Sequence, residues 1–134
     1  MPEFSRQSWD RLRTCDNQLQ RLFAEVVRHF DCSVLCGHRT QKEQDAAFSS
    51  GASKLKWPQG MHNKTPSLAV DVAPYNDAKK PVDWDDTRRF YLFSGYVLGV
   101  AAQMGIKIRW GGDWNRDTHV KDNSFNDLVH FELA

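Results

Sequence analysis

Two histidines and one aspartate, far apart in the chain, could together bind a metal ion. The segment MHNKTPSLAVDVAPY, residues 61–75, carries His62 in a loop and Asp71 in a stretch whose apolar neighbours predict a buried strand. The segment DLVHFEL carries His130. A buried carboxylate is costly unless something positive holds it. Two neutral imidazoles and one carboxylate, with one position left open, are typical of catalytic zinc.

Alternation along the strands decides whether these residues can meet. Successive strand side chains point to opposite faces, so each strand has an apolar face and a polar one. The predicted apolar faces are Leu68, Val70 and Val72 in one strand and Val129, Phe131 and Leu133 in the other. If the two strands are neighbours on one core, Asp71 and His130 lie on the same opposite face, and His62 could fold back over it. The alternative is that Asp71 caps a turn or pairs with an arginine.

Two further residues could act on a peptide bond beside such a site. Asp127, three residues before His130, could take a proton from water and pass it to a leaving amine. Strand alternation points it to the wrong face, so it has to lie in the turn before the strand. Arg39 could grip a carboxylate or stabilise an oxyanion. The alternatives are a turn aspartate and a solvated turn arginine.

Other polar residues near these segments have competing interpretations. His119 lies in a polar loop, where a surface position competes with a place in a lid. Asp113 could support a zinc-bound histidine through its second ring nitrogen or simply cap its turn. Glu132 shares the predicted face of His130, and His38 is predicted to be a turn residue.

The elements that must position these residues predict an α+β fold. Helices are predicted at residues 6–30, at 41–50 and from Asp85 or Asp86 to Gly105, and strands at 32–36, 67–75, 106–110 and 128–133. Thr40 and Glu43 form a capping box, so Thr40 is the expected N-cap of the second helix, and Gly51 its stop. Helices that are separate in sequence from antiparallel strands indicate the α+β class.

Composition excludes several classes of protein. A chain of 134 residues is expected to form a single domain, 1–134, and its net charge of +1 predicts no nucleic-acid partner. We expect no secretory signal and no membrane anchor, since the apolar stretches are short and interrupted. The three cysteines favour reduced thiols, and the C-x3-C of Cys32 and Cys36 is a weak zinc motif without a second pair.

Four segments in the order GHRT, MHNKTPSLAVDVAPY, IRWGGDWN and DLVHFEL resemble the M15 metallopeptidases. The resemblance is strongest to phage endolysins of the L-alanyl-D-glutamate peptidase type, relatives of the D-alanyl-D-alanine carboxypeptidases. It implies a small antiparallel sheet packed against helices, as in hedgehog and D-Ala-D-Ala peptidase folds. The family's zinc ligands match His62, Asp71 and His130. Its general base and acid matches Asp127, and its substrate-binding arginine matches Arg39.

The chain departs from the family pattern in the loop before Asp71. The family often reads S-x-H-x-x-G-x-x-x-D, whereas here Met61 precedes His62 and Ser67 falls where a glycine is common. The interval from His62 to Asp71 also looks longer. The departure removes no type of ligand, so the implied site remains a zinc site.

The resemblance implies hydrolysis of the peptidoglycan stem peptide between L-Ala and D-Glu, which would lyse an infected bacterium. One alternative is a carboxypeptidase that removes terminal D-Ala, and another is a zinc-stabilised module that binds the wall without cutting it. The expected enzyme is a monomer. It would accumulate in the host cytoplasm and need a holin-type pore to reach the wall.

Overall fold

Within residues 2–134, which the computed structural model describes, the chain forms four α-helices and one four-stranded sheet. In chain order the elements are α1 (Arg6–Leu12), α2 (Asn17–Val27), β1 (Cys32–Cys36), α3 (Gln41–Ser49), a 3-10 turn (Met61–Asn63), β2 (Ala69–Pro74), α4 (Thr87–Met104), β3 (Ile108–Gly111) and β4 (Asp127–Leu133). The predicted α+β class is confirmed. None of the helices in this described stretch has the length and apolarity needed to cross a membrane.

The sheet is antiparallel throughout, with the strand order β1-β2-β4-β3. Strands β2 and β4, distant in sequence, are therefore neighbours at its centre. Their register places Asp71 directly opposite His130. Residues opposite each other in antiparallel strands have side chains on the same face. The expected pairing of these two strands is confirmed.

The main core lies on the other face of the sheet, where α2 and α4 cover it. Phe131 of β4 is fully buried and packs edge-on against Phe23 of α2 and Phe93 of α4. Burying one such side chain stabilises the fold by about 1.5–3 kcal/mol. Val70 and Val72 of β2 join the same cluster, as alternation predicted. Burial of the apolar face of the sheet thus determines that Asp71 and His130 lie on the opposite face.

The prediction of one helix over residues 6–30 is wrong. Helix α1 ends at Leu12, and α2 begins at Asn17 after an N-cap at Asp16, whose side chain accepts a hydrogen bond from the Gln18 amide. The Asp16 amide itself donates to the Ser67 carbonyl at 2.8 Å. The apolar spacing continues across this break because both helices face the same core, so periodicity alone could not reveal it.

The remaining helix signals behave as expected. Thr40 caps α3 in a complete capping box with Glu43, and Gly51 follows the helix with φ at +81°. Of the two aspartates considered for α4, it is Asp86 that accepts the Arg89 amide hydrogen bond as N-cap. Gly105 ends that helix in the left-handed conformation.

Candidate active site

Three side chains from separate elements converge on one point at the polar face of the sheet. Asp71 of β2 and His130 of β4 are cross-strand neighbours, and His130 Nδ1 lies 3.3 Å from Asp71 Oδ1. His62, in the 3-10 turn that precedes β2, places its Nε2 atom 3.1 Å from the same oxygen. The expected association of these three residues is therefore present.

The geometry of this cluster fits a metal ion. The three ligand atoms lie within 4.8 Å of one another. Bonds of about 2.0–2.2 Å in tetrahedral geometry require neighbouring ligand atoms to be about 3.4 Å apart. The observed separations of 3.1 and 3.3 Å from Asp71 Oδ1 are close to that requirement. The donor set of two imidazoles and one carboxylate is also one that zinc accepts.

Hydrogen bonds on the far side of each imidazole orient it for metal binding. His62 Nδ1 is 2.7 Å from the Gly37 carbonyl oxygen, and His130 Nε2 is 2.8 Å from Glu132 Oε1. Each of these nitrogens must therefore donate its hydrogen to that acceptor, which leaves the other nitrogen of each ring facing Asp71. Gly37 itself has no room for a side chain, because a Cβ atom there would collide with the Arg11 carbonyl oxygen.

The charges in the cluster show how strongly it favours a cation. Burial alone would lower the pKa of His62, but the Asp71 carboxylate beside it raises that pKa to about 10. Burial likewise opposes protonation of His130, whose hydrogen bonds to Asp71 and Glu132 raise its pKa to about 9. Burial of Asp71 opposes its ionisation, yet the two imidazoles hold its pKa below the usual range. Protons and a metal ion would compete for these nitrogens.

Asp127 lies next to this cluster, though not where the sequence placed it. The prediction that it precedes the strand is wrong, because it is the first residue of β4. Trp110 of β3 pairs with Phe131, while the next residue, Gly111, pairs with Asp127, so residues 128–130 bulge out between the two pairs. A Cβ atom on Gly111 would collide with the Asp127 carbonyl oxygen, so only glycine permits this close approach.

The bulge overcomes the alternation that would otherwise point Asp127 away. Its Oδ2 atom lies 4.0 Å from His130 Nδ1, and its side chain is 27% exposed. Burial and the neighbouring Asp71 charge raise the pKa of Asp127. The same bulge removes Val129 from the main core, contrary to prediction, and packs it against Ala73 and Phe90. A carboxyl with a raised pKa beside a candidate metal site is suited to proton transfer.

Arg39 reaches the cluster from the segment that leads into α3. Its Nη2 atom is 3.6 Å from Asp71 Oδ2, and its Nη1 atom donates to Gln44 Oε1 at 3.1 Å. The side chain is only 15% exposed, so it is not the solvated turn arginine of the alternative interpretation. Asp71 is thus held by two imidazoles and a guanidinium, which offsets the cost of burying it.

These residues line a cleft of about 510 Å³. Trp114 forms part of its wall, with its ring centroid 5.3 Å from that of His130, and it stacks on Phe125. The segment from Gly51 to Leu55 also lines the cleft. A second cavity of about 200 Å³ shares Trp84 and Asp127 with the first. An extended chain could therefore lie across the triad of His62, Asp71 and His130.

Nearly the whole chain matches one known family. The sequence model of the phage L-alanyl-D-glutamate peptidase family covers residues 2–134. The chain belongs to this family. It is 30% identical over 138 aligned residues to the L-alanyl-D-glutamate peptidase of Escherichia phage T5, and the alignment covers 98% of each protein. The solved L-Ala D-Glu endopeptidase ChiX of Serratia marcescens has the same fold, with a TM-score of 0.75 at 24% identity, over 99% of this chain and 91% of that one.

Membership in the phage L-alanyl-D-glutamate peptidase family confirms the predicted family and makes the chain a peptidase. The departure from the common motif is accommodated locally. Ser67 is fully buried, and its hydroxyl donates to the Ala69 carbonyl oxygen at 2.6 Å. His62 still reaches Asp71 despite the longer loop. It lies in the Met61–Asn63 turn, and the hydrogen bond from its ring to the Gly37 carbonyl oxygen holds it there.

Asp113, His119 and Glu132 occupy different positions relative to the cleft. Asp113 accepts the backbone amide of Thr118 at 3.0 Å and that of Asp117 at 3.4 Å, as expected of a residue that caps its turn. His119 is exposed and lies outside the residues that line the cleft. Glu132 does contact His130, as their shared face predicted.

Gln44 is a functional candidate that the sequence did not reveal. It is the buried residue of α3, 1% exposed, and its Oε1 atom accepts from Arg39 and from Asn63. Its Nε2 atom donates to Ser53 Oγ at 3.0 Å and to the Leu55 carbonyl oxygen at 2.7 Å. The available signal was that α3 has no apolar stripe, so a polar residue had to face inward. Gln44 ties the arginine to the cleft wall.

Replacing Glu132 by glutamine should weaken metal binding in this phage-type peptidase without removing a ligand. The carboxylate that accepts the His130 Nε2 hydrogen is lost, and such changes typically cost about 10- to 100-fold in metal affinity. Competition with a chromogenic chelator would measure the affinity. Glu25→Gln, which changes a half-exposed glutamate on α2 that pairs with Arg28 and His29 and does not line the cleft, is the matched control. Equal affinity in the Glu132 variant and the control would contradict the role assigned to Glu132.

Proposed function

We propose that this chain is a zinc endopeptidase that cuts the bond between L-Ala and D-Glu in the peptidoglycan stem peptide. The observation that carries the proposal is the convergence of His62, Asp71 and His130 beside Asp127 in one cleft. The names of the phage T5 relative and of the Serratia marcescens structure specify the same bond, which supports extending that specificity to this chain.

In the proposed mechanism, His62, Asp71 and His130 hold the zinc ion. When bound, zinc supplies a Lewis acid that polarises a carbonyl and acidifies water. Asp127 takes the proton of the attacking water and later delivers it to the leaving nitrogen of D-Glu. Its raised pKa helps the carboxyl to hold that proton between the two steps.

Arg39 is proposed to orient Asp71 and to stabilise negative charge that develops on the scissile carbonyl oxygen. Its guanidinium is already within 3.6 Å of Asp71, and Gln44 holds one of its terminal nitrogens. A pre-positioned cation stabilises a developing oxyanion without having to reorganise during the reaction. The little-exposed position of Arg39 strengthens this effect, because less water screens its charge.

The shape of the cleft favours an endopeptidase over the carboxypeptidase alternative. A carboxypeptidase needs a pocket closed beyond the scissile bond. Here the second cavity adjoins the first at Asp127 and is lined by the stacked rings of Trp84 and Phe90, so the space continues beyond the proposed reacting centre. The non-catalytic binding module is less well supported, because it gives no role to a carboxyl with a raised pKa beside the ligands.

The test of this function is digestion of purified peptidoglycan followed by mass spectrometry of the released fragments. We expect new peptides that begin with D-Glu and glycan strands that retain L-Ala. A chelator should stop the reaction, and added zinc should restore it. Release of free D-Ala alone would instead support the carboxypeptidase, and no cleavage by a zinc-loaded protein would support the binding module. The monomeric state and passage through a holin-type pore stay predictions.

A further inference from the structure

We propose that Lys54 is a specificity-determining residue that binds the free carboxylate of the D-Glu residue on the leaving side of the scissile bond. This inference rests on the proposed L-Ala–D-Glu substrate. The amine of D-Glu is part of the bond to be cut, so that residue retains two carboxyl groups. At most one of them continues the peptide. A negative charge therefore lies within a few bonds of the leaving nitrogen.

Apart from the two histidines assigned to the metal, two cationic side chains line the cleft within residues 2–134, and only one of them already has polar partners. The Arg39 guanidinium already has partners, since its two terminal nitrogens contact Asp71 and Gln44. The Lys54 ammonium is exposed and, within residues 2–134, it forms no ion pair with a carboxylate. It is therefore the lining cation that remains available to an anionic substrate group.

The position of Lys54 is fixed from both sides of the chain. Gln44 Nε2 donates to Ser53 Oγ and to the Leu55 carbonyl oxygen, which belong to the residues immediately before and after Lys54. The residues on either side of Lys54 are thus attached to the same buried glutamine that holds Arg39. Fixing this backbone before substrate binds lowers the entropic cost of the contact.

An aromatic wall holds the ammonium over the cleft. Lys54 Nζ lies 4.6 Å from the centroid of the Phe125 ring, a cation–π contact. Phe125 stacks on Trp114, whose ring centroid is 5.3 Å from that of His130. The ammonium thus lies along one continuous wall that begins at a proposed metal ligand. A carboxylate bound there would gain a charge-assisted hydrogen bond.

The experiment measures binding, so that it does not depend on turnover. The probes are two forms of N-acetyl-L-Ala-D-Glu with the side-chain carboxyl blocked as a methylamide. One keeps the remaining carboxylate, and the other carries a primary amide in its place. Their affinities would be measured by calorimetry on the zinc-loaded Asp127→Asn protein. In this background we expect the acid probe to bind about tenfold more tightly than the amide probe. This preference lies at the lower end of the range for hydrogen bonds to charged groups, because Lys54 is exposed.

Adding Lys54→Met should abolish that preference by weakening the acid probe alone, and Lys54→Arg should retain most of it. Lys56→Met is the matched control, because Lys56 contacts Phe48 and lies outside the lining of the cleft. With Asp127 intact, Lys54→Met should raise KM for the stem peptide and leave kcat within about twofold, as loss of uniform binding predicts.

Equal affinity of the Asp127→Asn protein for the two probes, including no detectable binding of either, would overturn the inference. So would a loss in Lys54→Met that is the same for both probes, because that would indicate a structural role. Failure of the proposed function is read separately, from the fragments of digested peptidoglycan. A carboxylate preference that depends on Lys54 would stand even if a different bond were cut.

Discussion

Replacing Asp127 by asparagine should reduce peptide hydrolysis by at least about 100-fold and leave zinc bound. The amide keeps the size of the carboxyl but cannot take a proton from water, and general acid–base catalysis typically contributes about 10²- to 10⁴-fold. Zinc should remain, because Asp127 lies outside the triad of ligand atoms and its nearer oxygen is 4.0 Å from His130 Nδ1. Turnover of the stem peptide and elemental analysis of the same sample would measure both effects.

Asp10→Asn is the control for this experiment. Its side chain is 59% exposed on α1 and does not line the cleft, so the same chemical change there should alter neither quantity. Near-normal turnover in the Asp127 variant would show that another group moves the proton. Loss of zinc together with activity would show instead that Asp127 is a ligand or supports one.

Replacing Asp71 by alanine should abolish both metal binding and turnover. The change removes one of three proposed ligands, so the affinity for zinc should fall by more than the roughly 10- to 100-fold expected for loss of a hydrogen bond to a ligand. It also leaves His62, His130 and Arg39 facing one another without their shared anion. Without the carboxylate, burial would lower the pKa of both imidazoles, and the little-exposed Arg39 guanidinium would lose its anionic partner.

Titration with zinc against a competing chelator, followed by a turnover assay in excess zinc, would check this prediction. Asp71→Asn is the matched variant, because it keeps the size and one oxygen but not the charge, and we expect it to bind zinc with intermediate affinity. Wild-type affinity in Asp71→Ala would refute the proposed ligand set. Restored turnover in excess zinc would limit the role of Asp71 to raising the affinity.

The difference between sequence and structure is clearest at β4. Alternation correctly placed His130 and Glu132 on the face opposite Phe131, because burial of the apolar face fixes the register of the strand. The same rule misplaced Asp127 and Val129. It could not anticipate the bulge, which depends on the close approach of Gly111 in a strand that lies elsewhere in the sequence.

The helices give a similar contrast. Local signals were sufficient for α3, where the side chains of Thr40 and Glu43 each accept a hydrogen bond from the backbone amide of the other. They failed between α1 and α2, because the break is stabilised by a hydrogen bond from Asp16 to Ser67, which is remote in sequence. Interactions within one turn of helix can be predicted from residues that are close in sequence. A hydrogen bond between distant segments forms only when the chain folds.

The sequence by itself determined the chemical types of the site: two imidazoles, two carboxyls and a guanidinium, in an order that identified the family. Strand alternation also determined that Asp71 and His130 could share a face. Only the tertiary structure decided the rest, namely the fold of the His62 loop onto Gly37, the inward turn of Asp127, and the link from Gln44 to Arg39 and the backbone beside Lys54. These features depend on hydrogen bonds and close backbone contacts between distant segments, which periodicity and composition do not encode.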